Sequence, residues 1–476
     1  MRRGSSTLDR GALPGLSEGA HFCLGAATGA AAGAAPGSGT APHKPLAQNV
    51  IVLLDDGGGY NQHEAGSLYD TGERAGEIYQ GFPFQTAMAT YSRGPLSQGS
   101  CPAEPTGYDP ARAWSEWEYV MSGWTDSAAA ATAMATGTKT YNGAIGKGCQ
   151  GENLPNVVEA YEAAHMSTGL VSSSAVSSAT PAAFGVHNAT RDQEPAISNL
   201  LVDTGGLDVV MGAGHPFFGW DANPLAKAQY NLISKHAWDE LVGGTPVSDA
   251  DGDGVADPFT LVQTRQEFAN LMTGETPTRV FGVPQVHKNL QVDRSGDPMA
   301  EPYAVPFLDA VPTLSEMTLG ALNVLDQNPN GFFLMAEGGG TDVAAADHET
   351  GRMLEEELSF DRMVDSVNGW VEQHSNWGET LVVVLSDHET AYLTGPDSGP
   401  TTDGPVWTPL TNNGPGAVPG LQFNSTHHTN SLVQVFAKGD PGRLLRTMTA
   451  GTDPVRGDYL DNTAIHLLLL QAAGLG

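Results

Sequence analysis

Four short apolar runs, three of which break into turns rich in carboxylate or histidine, constrain this chain more than any other feature. The first, Asn49-Val50-Ile51-Val52-Leu53-Leu54, runs straight into Asp55-Asp56-Gly57-Gly58-Gly59. The second, Gly331-Phe332-Phe333-Leu334-Met335-Ala336, ends in Glu337-Gly338-Gly339-Gly340, and the third, Thr380 to Leu385, ends in Ser386-Asp387-His388. The fourth, Leu432 to Ala437, follows His428. A continuous short run rich in β-branched and large apolar residues fits a strand covered on both faces, which is the environment of a parallel sheet. Helical spacing lies between the runs. Ser127 to Ala135 is Ala-rich, Leu354 to Trp370 carries Leu358, Met363, Val364 and Val367 on one stripe, and Asn462 to Leu470 reads as a terminal helix. Strands alternating with helices predict an α/β fold: a three-layer α/β/α sandwich around a central, mostly parallel sheet. Ligands of such sheets bind outside the carboxyl ends of the strands. The repeated carboxylates at those ends therefore predict a site.

The rest of the chain bounds the function. With 54 acidic and 22 basic residues, the formal net charge is -32. That field repels nucleic acid and leaves no surface for binding it. A solvated acidic surface accounts for most of the charge and predicts tolerance of salt, while some of the carboxylates are free to gather around metal ions. No apolar run approaches the ~18 residues that a membrane span requires, so no membrane partner is expected. Residues 1–45 begin Met1-Arg2-Arg3 and continue into an Ala/Gly-rich stretch, which predicts an atypical export signal or a disordered tail ahead of a catalytic domain over 46–476. Residues 215–305, rich in Pro, Gly and Asp, are expected to form an inserted, loop-rich crown. Of the three cysteines, Cys101 and Cys149 are candidates for a disulfide in an exported protein, or are two free thiols.

The chemistry starts at Thr125-Asp126-Ser127. A Ser at the N-terminus of an Ala-rich helix is either an ordinary cap or a nucleophile facing an anion that the helix dipole favours. Asp and His together suit zinc, whereas Asp, Glu and Thr oxygens suit magnesium. Asp56, Glu337, Asp342, His348, Asp387, His388 and His428 offer both kinds of donor.

Here the chain resembles the alkaline phosphatase family, from about Asn49 to the C-terminus. The stretch from Thr125 through Gly137, continuing Lys139-Thr140-Tyr141-Asn142-Gly143-Ala144-Ile145-Gly146, is similar to that family's nucleophile segment. Ser386-Asp387-His388-Glu389-Thr390 resembles its second metal motif, and Thr180-Pro181-Ala182-Ala183 with Arg191 resembles its magnesium and phosphate-arginine segment. The resemblance implies a secreted or periplasmic enzyme hydrolysing small phosphate monoesters, with inorganic phosphate as product and inhibitor, and leaves a homodimer open. It implies Ser127 as nucleophile and Arg191 as the grip on two phosphate oxygens. It implies two zinc ions, one on Asp56, Asp387 and His388 and the other on Asp342 and His428, with a magnesium ion on Asp56, Thr180 and Glu337.

The chain departs from the family at four places. Asp55 is an extra carboxylate beside Asp56. Ser178 stands where Asp or His is usual. Ala346 occupies the place of a zinc-binding His, so His348 is expected to complete the second zinc site after a break in the helical turn following Asp342, with Asp347 as the neighbouring candidate. Finally, Asp249, Asp251, Asp253 and Asp257 alternate around glycines as in a calcium loop, although Thr260 stands where the bidentate Glu would be; a plain acidic turn is the alternative. Two other functions compete: a phosphodiesterase or sulfatase-like hydrolase on the same fold, and a non-catalytic metal-binding surface protein. Ser127 together with Arg191 favours monoesters.

Overall fold

The computed structural model describes residues 45–94, 101, 107–204, 206–249 and 254–476. Eleven strands form one sheet. In chain order they are β1 (Asn49–Asp55), β2 (Phe84–Ala89), β3 (Ser167–Ala175), β4 (Val209–Ala213), β5 (Thr260–Val262), β6 (Val280–Gly282), β7 (Phe332–Gly338), β8 (Thr380–Ser386), β9 (Val433–Lys438), β10 (Gly451–Asp453) and β11 (Gly457–Asp461). Their spatial order is β10-β11-β2-β9-β8-β1-β7-β3-β4-β6-β5. From β8 across to β5 every pairing is parallel. The fourth apolar run, β9, enters antiparallel to β8 and β2, so the sheet is mixed rather than uniformly parallel.

Helices cover both faces. The ones that matter below are α1 (Tyr60–Asp70), α2 (Ser127–Thr136), α3 (Val157–Ala163), α4 (Ala179–Gly185), α5 (Leu314–Leu325), α6 (Gly340–Ala346), α7 (Thr350–His374) and α8 (Thr463–Ala472). The period-2 alternation of the strands divides the core in two. Val50, Val52 and Leu54 of β1 pack with Phe333 and Met335 of β7, Leu381, Val383 and Leu385 of β8, and helices α2, α4 and α8. Ile51 and Leu53 pack with Leu334, Val382 and Val384 and with α5 and α7 on the other face. The central strands are buried on both faces, which explains why their sequences read as unbroken apolar runs.

Residues 215–305 supply β5 and β6 to the sheet edge as well as loops. The leading segment up to residue 44 lies outside the described residues, as do Asp251 and Asp253 of the acidic loop; both oxygens of Asp249 accept from the Gly254 amide at 3.2 Å. Cys101 and Cys149 form a disulfide. No helix among the described residues is long and apolar enough to cross a membrane.

At the amino-terminal edge of β3 and β4, away from the carboxyl ends of the strands, lies a small acidic pair, Asp208 buried and Glu162 half-buried. Glu162 of α3 accepts from the Thr168 hydroxyl, and Asp208 accepts from the Thr168 amide at 2.9 Å. Burial, then the charge of Asp208, pushes Glu162 up to about 8. The folded protein therefore holds a proton that the unfolded chain releases near pH ~4.3. Between that value and about 8, stability falls as pH rises, because the folded state binds more protons than the unfolded one. Glu162→Gln is expected to raise the melting temperature relative to wild type progressively from pH 5 to pH 9 and to leave it unchanged below pH 4. A difference independent of pH would contradict this.

Candidate active site

Register and alternation assemble the site. Leu54 lies level with Leu385 of β8 and Glu337 of β7. Asp56 and Asp387, the residues two beyond Leu54 and Leu385, continue the same face as Glu337, the face covered by α2. The turn that lets β1 end there needs Gly57, whose φ is +83°. A Cβ at Gly57 would also lie 2.7 Å from the Cα of Asp342. Glycine thus permits both the left-handed turn and the close approach of α6.

Asp126 caps α2, its Oδ1 accepting from the Ala129 amide at 3.0 Å, and Ser127 is the first helical residue. Ser127 Oγ lies 3.2 Å from His388 Nε2. The same nitrogen is 3.2 Å from Asp387 Oδ2 and 3.5 Å from Asp56 Oδ1. Neither of those two carboxylate oxygens has a hydrogen-bond donor, although both are buried. Next to them His428 Nε2 is 3.2 Å from Asp342 Oδ1, its Nδ1–H donates to the Thr125 carbonyl at 2.9 Å, and its ring stacks on His388 with centroids 3.6 Å apart. Glu337 accepts from the Ser172 hydroxyl, and the buried hydroxyl of Thr180, at the start of α4, lies beside the same carboxylate.

Two groups of three donors lie close enough to share an ion: Asp56, Asp387 and His388, and Asp342, His388 and His428. The protein alone cannot hold this charge comfortably. Burial, then the charge of Asp387, drives Asp56 well above the usual carboxylate range, and burial, then Asp342, pushes Asp387 up to about 7. Burial, then His428, holds His388 well below the usual imidazole value. Burial alone would lower His428 too, but Asp342 outweighs it and raises it to about 9. Orphaned buried oxygens facing an imidazole nitrogen are the donor set that a divalent cation satisfies.

His348 is not brought to either group. α6 continues unbroken from Gly340 to Ala346, so the expected break after Asp342 does not occur. The chain turns only afterwards, where His348 takes a left-handed conformation at φ 59°, its Nε2 2.6 Å from the Ser425 carbonyl and its ring flat on Phe423. The helix ends one turn too late to aim it inward. Asp347 is exposed. Ser178 precedes α4 and makes no capping hydrogen bond.

Other residues at the site were not singled out from sequence. Asp126 Oδ2 accepts from Arg191 Nη1 at 3.1 Å and from the Gly143 amide at 2.9 Å, so one carboxylate both caps α2 and anchors the arginine. Its place before Ser127 at a helix start was the available signal. Thr390 donates to Asp342 Oδ1 and lies 3.4 Å from His388 Nδ1, its place in the Ser386–Thr390 motif being the available signal; Trp124 packs against His428 and had none, since they meet only through folding.

A family profile described as alkaline phosphatase matches residues 47–418. The alkaline phosphatase of Escherichia coli (strain K12) is 29% identical over 438 residues, covering 86% of this chain and 84% of that protein. Alkaline phosphatase H of Pseudomonas aeruginosa (strain UCBPP-PA14) is 29% identical over 439 residues with the same shares. Among solved structures, the alkaline phosphatase of the Antarctic bacterium TAB5 superposes with a TM-score of 0.60 at 22% identity, covering 91% of this chain and 99% of that one, and a variant of it carries bound magnesium.

Asp126→Ala is expected to cost about 1 kcal/mol of stability through the lost cap. It should also weaken inhibition by inorganic phosphate, because Arg191 loses its anchor. An unchanged inhibition constant, measured beside the melting curve, would show that Arg191 is positioned by something else.

Proposed function

The chain belongs to the alkaline phosphatase family, whose members are phosphomonoester hydrolases, and on that footing we propose that it hydrolyses phosphate monoesters through a covalent phosphoserine on Ser127. The observation that carries this is Ser127 Oγ at the head of α2, 3.2 Å from a His388 nitrogen that also faces the two donorless carboxylate oxygens of Asp56 and Asp387. Asp56, Asp387 and His388 would hold one zinc ion, Asp342 and His428 a second, and Asp56, Thr180 and Glu337 a magnesium ion. Bound there, the metals neutralise the phosphate dianion and lower the pKa of a coordinated hydroxyl or water.

The chain's own groups do the rest. Arg191, pinned by Asp126, grips phosphate oxygens in a bidentate fashion, and the free N–H groups at the start of α2 face the same anion. Ser127 Oγ forms a bond to phosphorus as the ester P–O bond breaks, and its proton leaves with the departing alcohol. Water then cleaves the Ser127 Oγ–phosphorus bond, giving inorganic phosphate and restoring the serine. Small monoesters as substrates follow from this chemistry, with no preference among alcohols. An exported, secreted or periplasmic enzyme fits the Cys101–Cys149 disulfide, which persists in oxidising compartments.

Ser127→Ala is expected to abolish the intermediate and most turnover. Trapping phosphate on the wild-type enzyme at low pH and mapping it by mass spectrometry tests this, and a label on any other residue would sink the assignment. His348→Ala is expected to retain the full metal complement with near-normal turnover, since its ring is engaged by Phe423 and Ser425. Loss of one zinc equivalent in that variant would return His348 to the metal.

A further inference from the structure

Directly behind Asp56, on the opposite face of the sheet, lies a second group of donors that the hydrolytic site does not use. Asp55 ends β1 on the face of Ile51 and Leu53, where α1 brings His63 and α7 brings Glu357. Asp55 and Glu357 are 0% exposed and His63 2%. His63 Nδ1 lies 3.3 Å from Glu357 Oε2 and 3.8 Å from Asp55 Oδ2. All four carboxylate oxygens of Asp55 and Glu357 are buried with no donor at hydrogen-bonding geometry, the Thr341 hydroxyl lying beside Asp55 and the two carboxyl groups facing each other. One helical turn beyond Glu357 lies Asp361, 4% exposed, with the Tyr79 hydroxyl beside it and no donor at hydrogen-bonding geometry. His63 Nε2 is 3.4 Å from Ser386 Oγ, and donating its proton there leaves the Nδ1 lone pair facing the carboxylates.

We propose that Asp55, His63 and Glu357 bind a structural divalent metal ion of the zinc class, with Asp361 as a further carboxylate at hand. The separations between donors, 3.3 and 3.8 Å, are close to those of the Ser127 site, where an imidazole nitrogen lies 3.2 and 3.5 Å from carboxylate oxygens, the longer one closing by a few tenths of an ångström on a bound ion. Bonds of ~2.0–2.2 Å in tetrahedral geometry place ligand atoms about 3.3–3.6 Å apart. One imidazole among carboxylates suits zinc better than calcium or magnesium, which prefer oxygen alone. Buried, uncompensated carboxylates are costly unless paired or bound to metal, and no Lys or Arg is paired with Asp55 or Glu357 among the described residues. The metal would tie the end of β1 to α1 and α7 and so fix the turn that presents Asp56. The competing arrangement is metal-free, with protonated carboxyls and the Tyr79 hydroxyl, 3.2 Å from His63 Nδ1, donating to that nitrogen.

Metal analysis of the purified full chain and of Glu357→Gln, together with anomalous diffraction at the zinc edge on wild-type crystals, decides between them. The expected result is one metal equivalent fewer in Glu357→Gln and an anomalous peak between Asp55 Oδ2, His63 Nδ1 and Glu357 Oε2. Should Glu357→Gln fail to fold, the wild-type map alone decides. A peak at Asp56, Asp387 and His388 with none at Asp55, after soaking in zinc, overturns this proposal and leaves the Ser127 chemistry intact. A peak at Asp55 with none at Asp56 does the reverse.

Discussion

The alternation of side chains along three adjacent parallel strands is the constraint on which the rest of this molecule depends. β1, β7 and β8 lie side by side in register, so residues of the same parity stand level on the same face. One parity delivers Glu337, Asp56 and Asp387 to the face that α2 covers. The other delivers Asp55 and Ser386 to the face that α1 and α7 cover. Two consecutive aspartates at the end of one strand thus serve opposite sides of the sheet. A one-residue slip would exchange them, burying Asp55 against Ser127 and removing Asp56 from His388.

The apolar bodies of these strands tolerate such charged ends because the surrounding packing is unusually complete. All ten residues of α2 are buried, and the small Ala side chains let that helix approach α4 and α8 closely while leaving its amino end free to face an anion. Asp126 holds that end together. Its two oxygens serve different neighbours, the Ala129 amide on one side and Arg191 with Gly143 on the other, so α2 and Arg191 share one anchor. The cost is a set of buried acids short of donors, which a bound cation or a retained proton can satisfy.

Much of this was legible in the chain. Each of the four apolar runs is a strand, and the three helical patterns correspond to α2, α7 and α8 within a few residues at each end. Asp56, Asp387, His388 and Ser127 do converge, because a residue just past the end of a parallel strand has nowhere to go but the carboxyl edge of the sheet. Other features were hidden. β9 runs antiparallel, and local periodicity carries no information on direction. The short strands β5 and β6, within a stretch that reads as loop, are three residues each and owe their existence to pairing beside β4.

His348 marks the boundary most clearly. Its distance along the chain from Asp342 suggested a ligand, but the uninterrupted turn from Asp342 to Ala346 and the waiting ring of Phe423 draw it elsewhere, and Phe423 is remote in sequence. The sequence by itself determined the strand cores, the Ala-rich helix behind Ser127 and the carboxylates at strand ends, since period, burial and capping act over a few residues. Only the tertiary structure decided which donors lie close enough to share a cation, because those distances depend on how separate elements pack. It placed Asp55 with His63 and Glu357, joined Arg191 to Asp126, and turned His348 away.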